Sequence, residues 1–108
     1  MSNAFERGLR PPVEFEMSPP RFPVGRVLAT PGALALLERT EMNALMLLAR
    51  HQSGDWGDVP PEDAAENEFA VINGLRILSS YWLSPTERLW IITEADRSAT
   101  TLLMPEEY

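Results

Sequence analysis

The chain has 108 residues, enough for one domain with its own core and too few for two. It contains no cysteine and no lysine, all nine basic residues being arginines, which excludes disulfides, thiolate metal sites, thiol nucleophiles, Schiff-base chemistry and a P-loop lysine. The net charge of -7 is uneven: residues 1–53 hold six Arg against five Glu, and residues 54–108 hold three Arg against eleven Asp and Glu.

An acidic second half works against contact with phosphate backbones, so no direct nucleic-acid binding is expected; it suits solubility or a basic partner. No apolar run approaches the roughly 20 residues of a membrane span, and the N-terminus lacks a charged-then-apolar signal layout. The expectation is a cytoplasmic protein with no membrane contact.

Residues 1–23 hold five of the ten prolines, at Pro11, Pro12, Pro19, Pro20 and Pro23. Paired prolines favour extended geometry and forbid a helix interior, which predicts a partly disordered arm. A single domain over residues 24–108 is expected to follow. Val24 to Ala29 is a strand candidate. Thr30 and Pro31 then make a helix start, with Thr30 as N-cap and Pro31 in the first turn, for a helix ending near Arg39.

Thr40 offers a second N-cap for a helix from Glu41 to about His51. At 100° per residue, Leu48, Leu45, Ala49, Met42 and Met46 share one arc, predicted as core, with Arg50, Asn43 and His51 opposite. Leu47 falls among the polar residues and reads as a contact for the preceding helix. Gly54 stops this helix, and Trp56, between Asp55 and Gly57 in a tight turn, either folds back as a lid on the core or stands out as a contact anchor.

Asp58 is the predicted cap of a third helix that takes Val59, Pro60 and Pro61 in its first turn and ends at Gly74. Its apolar arc is Ala64, Val71, Ile72, Ala65 and Phe69, with Glu62, Asp63, Glu66 and Asn67 outside. Glu68 falls inside that arc. A carboxylate there needs a partner such as Arg50 or Arg76, or else is a general base with a raised pKa.

From Arg76 to Met104 three short runs rich in β-branched and aromatic residues are cut by SPTE and ADRS, the pattern of an antiparallel meander. The central run is apolar on both faces, Leu89 and Ile91 on one and Trp90 and Ile92 on the other, so the second face needs cover from the arm or from a second copy. Trp82 and Trp90 fall on neighbouring strands. The predicted fold is α+β: a four-stranded, mainly antiparallel sheet ending in a three-stranded meander, with two or three helices on one face.

The chemistry on offer is thin. One histidine without cysteines is too little for a zinc site, and no Ser-His-Asp arrangement is readable from local spacing. Asp55, Asp58, Glu62, Asp63 and Glu66 form an acidic face whose spacing matches no calcium loop. No metal, cofactor or catalytic residue is therefore assigned. Arg50, His51, Trp56, Glu94, Asp96 and Arg97 remain without an evident turn or cap role and make up the candidate interaction patch.

The segments VGRVLATPGALALL, LLARHQSGDWGD, GLRILSSYWL and WIITEADRSATTLLMPEEY, spread over residues 22–108, resemble a family of small, largely uncharacterised proteins carried on bacterial plasmids and other mobile elements. Some members are labelled as a type I restriction-modification subunit. A methyltransferase subunit needs a glycine-rich cofactor loop after a strand and an Asn-Pro-Pro-Tyr-like motif, and neither is here. The resemblance implies no catalytic residues. With the composition, it gives three functional expectations: an acidic, non-catalytic protein-interaction module with an unidentified protein partner, acting as a homodimer; an anti-defence protein, antirestriction or anti-CRISPR, whose acidic surface imitates DNA; and a small enzyme using Glu68 or His51 as base.

Overall fold

A computed structural model describes residues 19–108, so all of the predicted arm before Pro19 lies outside the described residues. Four strands, β1 (Arg26–Ala29), β2 (Ile77–Trp82), β3 (Arg88–Thr93) and β4 (Ala99–Leu103), form one sheet in the order β1-β4-β3-β2. Three helices accompany it, α1 (Pro31–Arg39), α2 (Ala44–Gln52) and α3 (Pro61–Asn73), and the chain ends in a 3-10 turn, Pro105–Glu107. The class is α+β. Among the described residues no helix is long and apolar enough to cross a membrane.

The sheet is mixed rather than mainly antiparallel. β2, β3 and β4 pair antiparallel, but β1 joins β4 in parallel, with Val27 opposite Thr100 and Leu28 opposite Thr101. The link from β1 to β4 runs through all three helices and two strands, long enough for the crossover that a parallel pair requires.

α1 starts as its local chemistry dictates. Thr30 Oγ1 accepts from the Ala33 N–H at 3.0 Å, Pro31 takes the first turn, and Ala33, Leu36 and Leu37 are buried. Thr40 does not start the second helix. Its hydroxyl donates back to Leu36 O at 2.7 Å and closes α1, Glu41 turns the chain with a φ of 54°, and Asn43 caps α2 by accepting from the Leu45 N–H at 2.9 Å.

α2 also presents a different face from the predicted one. Leu47, Leu48 and His51 are buried, while Leu45 and Met46 are 74% and 65% exposed. The helix turns this way because His51 finds partners for both ring nitrogens inside, so a polar residue occupies a core position without an unpaired group. α1 and α2 pack Leu36, Leu37, Leu47 and Leu48 onto Tyr81, Leu89, Ile91 and Leu102 of one sheet face.

α3 has no side-chain cap. Asp58 instead accepts from the Trp82 indole N–H at 2.7 Å, and Pro60 stands at the N-cap. The helix ends at Gly74 in the left-handed region, φ 65°, as its position predicts. α3 lies along β2, where Asn67 and Ala70 are buried, whereas Phe69 and Ile72, predicted as core, are 59% and 80% exposed. Phe22, Trp56, Ala70 and Ile77 make a second, smaller core.

β2 is an edge strand, and the outward groups of Leu78 and Ser80 are engaged. Asn67 donates to Leu78 O at 2.8 Å and accepts from the Leu78 N–H at 3.2 Å. Beside it, the Ser80 N–H donates to Trp56 O and Ser80 O accepts from the Asp58 N–H. Gly57 must be glycine for that approach: its φ is 74°, and a Cβ would overlap Ser80 O and the Tyr81 ring. With the outward groups of Leu78 and Ser80 satisfied, this stretch of the edge offers no ladder to another chain.

The second face of the meander is covered in part by the chain's own C-terminus. Tyr108 lies edge-on to Trp90 at 5.6 Å between ring centroids, and Ile92 and Leu103 beside it are buried. The 3-10 turn is held there because Glu107 accepts from both Thr30 Oγ1 and the Met104 N–H. Trp82 stands opposite Arg88 and Trp90 opposite Ser80, so the two indoles are diagonal neighbours.

Candidate functional site

His51, Trp56 and Arg97, three of the six patch residues, converge in one place, but inward. His51 is fully buried, with Phe22 edge-on at 5.2 Å and Trp56 edge-on at 6.1 Å; Phe22 and Trp56 stack on each other at 6.2 Å. Trp56 is therefore the lid on the core and not an exposed anchor.

The imidazole is held in one tautomer by a chain of hydroxyls. Thr100 Oγ1 donates to Val24 O at 2.8 Å, and that carbonyl can only accept. With its proton so committed, Thr100 accepts from the Thr93 hydroxyl at 2.7 Å. Thr93 must then accept from His51 Nε2–H at 2.8 Å, which leaves Nδ1 to accept from the Ser79 hydroxyl at 2.6 Å. His51 is neutral. Burial pushes its pKa down to about 4, and the Arg97 charge pushes the same way.

The Ser79–His51 contact has the atoms of a nucleophile and base without their setting. The imidazole's far nitrogen faces a hydroxyl, where a triad places a carboxylate to stabilise imidazolium. Ser79, His51, Thr93 and Thr100 are all fully enclosed, so no substrate reaches the pair. The network satisfies buried polar groups and fixes how α2 sits on the sheet.

Arg97 belongs to the same frame. Its guanidinium donates to Leu75 O at 2.6 Å, Ala70 O at 2.8 Å and Glu94 O at 3.1 Å, and lies 5.7 Å from the Phe22 ring centroid. A cation on Ala70 O in the last turn of α3, and on Leu75 O just beyond it, complements the helix dipole and ties the β3–β4 turn to that helix. Arg97 holds this position with a φ of 62°. Glu94 and Asp96 serve the same turn: Glu94 O accepts from the Arg97 N–H at 2.9 Å, and Asp96 Oδ1 accepts from the Ser98 N–H at 3.0 Å. Ser98 holds the Asp96 carboxyl below its ordinary range.

Arg50 lies apart from these residues, on the surface. It bonds Asp55 at 2.6 Å and stacks on the Tyr81 ring at 4.5 Å, and it holds the Asp55 carboxyl below its ordinary range, with help from the Gly57 N–H. Tyr81 donates to Asp55 O at 2.6 Å, and burial pushes its phenol up to about 12. Asp58 sits 3.9 Å from Arg88, which stacks on Trp82. The cleft among these groups is a set of mutually satisfied pairs.

Glu68 is neither buried nor catalytic in placement. It is half-exposed and pairs with Arg21 at 2.7 Å, not with Arg50 or Arg76. Of the acidic face, Asp55 and Asp58 are engaged as described. Glu62, Asp63 and Glu66 are exposed on α3, and among the described residues none of the three has an ion pair. Among the described residues no three His, Asp or Glu side chains converge as a metal would require.

The feature that sequence reasoning missed is on the outside of α3. Ala65, Phe69 and Ile72 follow at helical spacings of four and three, opposite the buried Asn67 and Ala70, and form an exposed apolar ridge. Beside it a groove of about 400 Å3 is lined by Ala65, Phe69, Ala70 and Leu75, with Glu66 and Arg76 at its rim. The signal was present as an apolar arc wider than one buried face of α3 needs. No family model matches the chain, and neither a curated protein nor a solved structure does.

Proposed function

We propose that the chain is a small acidic interaction module, without catalysis, that docks a protein partner through the outward face of α3. One observation carries this reading: Phe69 and Ile72 stand together in solvent on a helix whose other face is already packed. Leaving two large apolar side chains exposed beside a groove is costly for solubility, and such patches mark contact surfaces. The enclosed, neutral His51 and the half-exposed, paired Glu68 support a role without chemistry.

The anti-defence reading is supported less. A phosphate mimic needs an extended row of unneutralised carboxylates, and Asp55, Asp58 and Glu68 are each taken up by an arginine or an indole N–H. Three acids on a turn and a half of α3 remain.

Affinity purification from the native host tests the proposal, comparing the native chain with Phe69→Ser/Ile72→Ser and with Leu45→Ser/Met46→Ser on α2. A partner retained by the α2 variant and lost by the α3 variant is expected. Equal retention by both, with both folded, would sink it.

A further inference from the structure

The ridge on α3 says more about its occupant than that it is a protein. Ala65, Phe69 and Ile72 run along the helix axis, a spacing that meets the ridge of a second helix. The groove beside Phe69, closed by Ala70 and Leu75, has room for one large apolar side chain. The flanks are acidic on both sides. On the helical wheel Glu62 and Glu66 lie to one side of the ridge and Glu68 to the other, and the 13 residues of α3 include four acids and no basic residue. Of these four acids only Glu68 has an ion pair among the described residues, with Arg21; Arg76, at the groove's rim, is stacked on Tyr108.

We infer that the partner presents a basic amphipathic helix, its apolar stripe on Ala65, Phe69 and Ile72 and its Lys or Arg residues against Glu62 and Glu66. This rests on the interaction reading above. Charge complementarity decides it against a second copy: an antiparallel α3 pair sets Glu62, Glu66 and Glu68 against the same three, and the nearby cations of each chain are Arg76 and an Arg21 already committed to Glu68. Charged flanks around a short apolar stripe are also what fixes register when one helix seats on another.

The test uses the full chain and three synthetic helices of about 15 residues, long enough for marginal helicity. All have the same leucine stripe, with Lys, Gln or Glu at the flanking positions. Binding is followed by calorimetry and by amide shifts in NMR at near-physiological salt. The Lys peptide is expected to shift the amides of Ala65, Phe69, Ile72 and Leu75 and to bind about tenfold or more tighter than the Gln peptide. Glu62→Gln/Glu66→Gln should close most of that gap, and Ile72→Ser should weaken the Lys peptide about tenfold while thermal unfolding stays unchanged.

If the Gln or Glu peptide binds this face as well as the Lys peptide, the interaction reading stands and the basic partner is wrong. If no peptide shifts these amides, the helical partner is wrong, and the α3 variant in affinity purification decides separately whether the face binds anything. A concentration-dependent dimer abolished by Ile72→Ser would assign the face to a second copy. A through-space contact between the Ile72 side chain and residues 1–18 in the free monomer would assign the face to that segment of the same chain. Either result overturns the inference.

Discussion

Lowering the pH below neutrality should destabilise the fold through His51 alone before any carboxylate contributes strongly. In the unfolded chain this imidazole takes up a proton near its ordinary value of 6.5, and in the folded chain only near 4, because it is buried and faces Arg97. Between those values the unfolded state holds the extra proton, so stability is full above about pH 6.5 and falls as pH drops toward 4. Integrating one proton between pH 7.5 and pH 5 gives a loss of about 2 kcal/mol. With a urea slope of about 1 to 2 kcal/mol per molar, the unfolding midpoint should move down by about 1 to 2 M. The sole histidine also gives one set of ring signals in nitrogen-detected NMR, which should report the Nε2–H tautomer and no titration above pH 5. A flat midpoint across this range, or a ring that titrates near 6.5, would refute the enclosed relay.

Other perturbations follow from single contacts. Arg97→Ala should cost about 2 to 3 kcal/mol by chemical denaturation, since it removes a charged donor from four backbone carbonyls. Arg97→Lys should recover only part of that loss, because one ammonium cannot reproduce the planar fork. Asn67→Ala should cost about 2 kcal/mol by leaving both Leu78 backbone groups without their partner, and Asn67→Asp should cost more, its carboxylate facing the Leu78 carbonyl. Among the described residues Ser80 Oγ is buried without a hydrogen-bond partner, so Ser80→Ala should raise stability by about 1 kcal/mol in the same assay. Ile72→Ser, at a site 80% exposed, should leave the thermal midpoint within about 2 °C.

The elements that were legible in the sequence rest on local chemistry. Thr30 and Pro31 start α1 wherever the rest of the chain goes, Gly74 ends α3, and the SPTE and ADRS breaks separate β2, β3 and β4. The parallel seat of β1 was not legible, since the choice between β4 and another neighbour is made by the crossover and by no residue of β1 itself. The faces of α2 and α3 were misplaced for one shared reason. His51 and Asn67 each complete a helical spacing with apolar neighbours in the core, buried Leu47 and Leu48 for one and half-buried Ala64 and buried Ala70 for the other, yet a polar side chain ranks as surface on any hydropathy scale. Their partners, Ser79 and Thr93 for His51 and the Leu78 backbone for Asn67, come from distant strands. Admitting a fully bonded polar residue to the core turns both helices to their observed orientation and leaves Phe69 and Ile72 outside. The six-residue patch failed in the complementary way: Trp56 and Arg97 had no local role because their roles are tertiary.

The most direct measurement places Ile72→Ser and Trp56→Ala side by side, reading thermal unfolding and partner retention for each. Ile72→Ser should keep the native midpoint and lose the partner, and Trp56→Ala, which removes a 6% exposed indole from the smaller core, should lose about 3 kcal/mol or more of stability. A partner still held by folded Ile72→Ser, or a fully stable Trp56→Ala that alone releases it, would contradict an interaction face on the outside of α3.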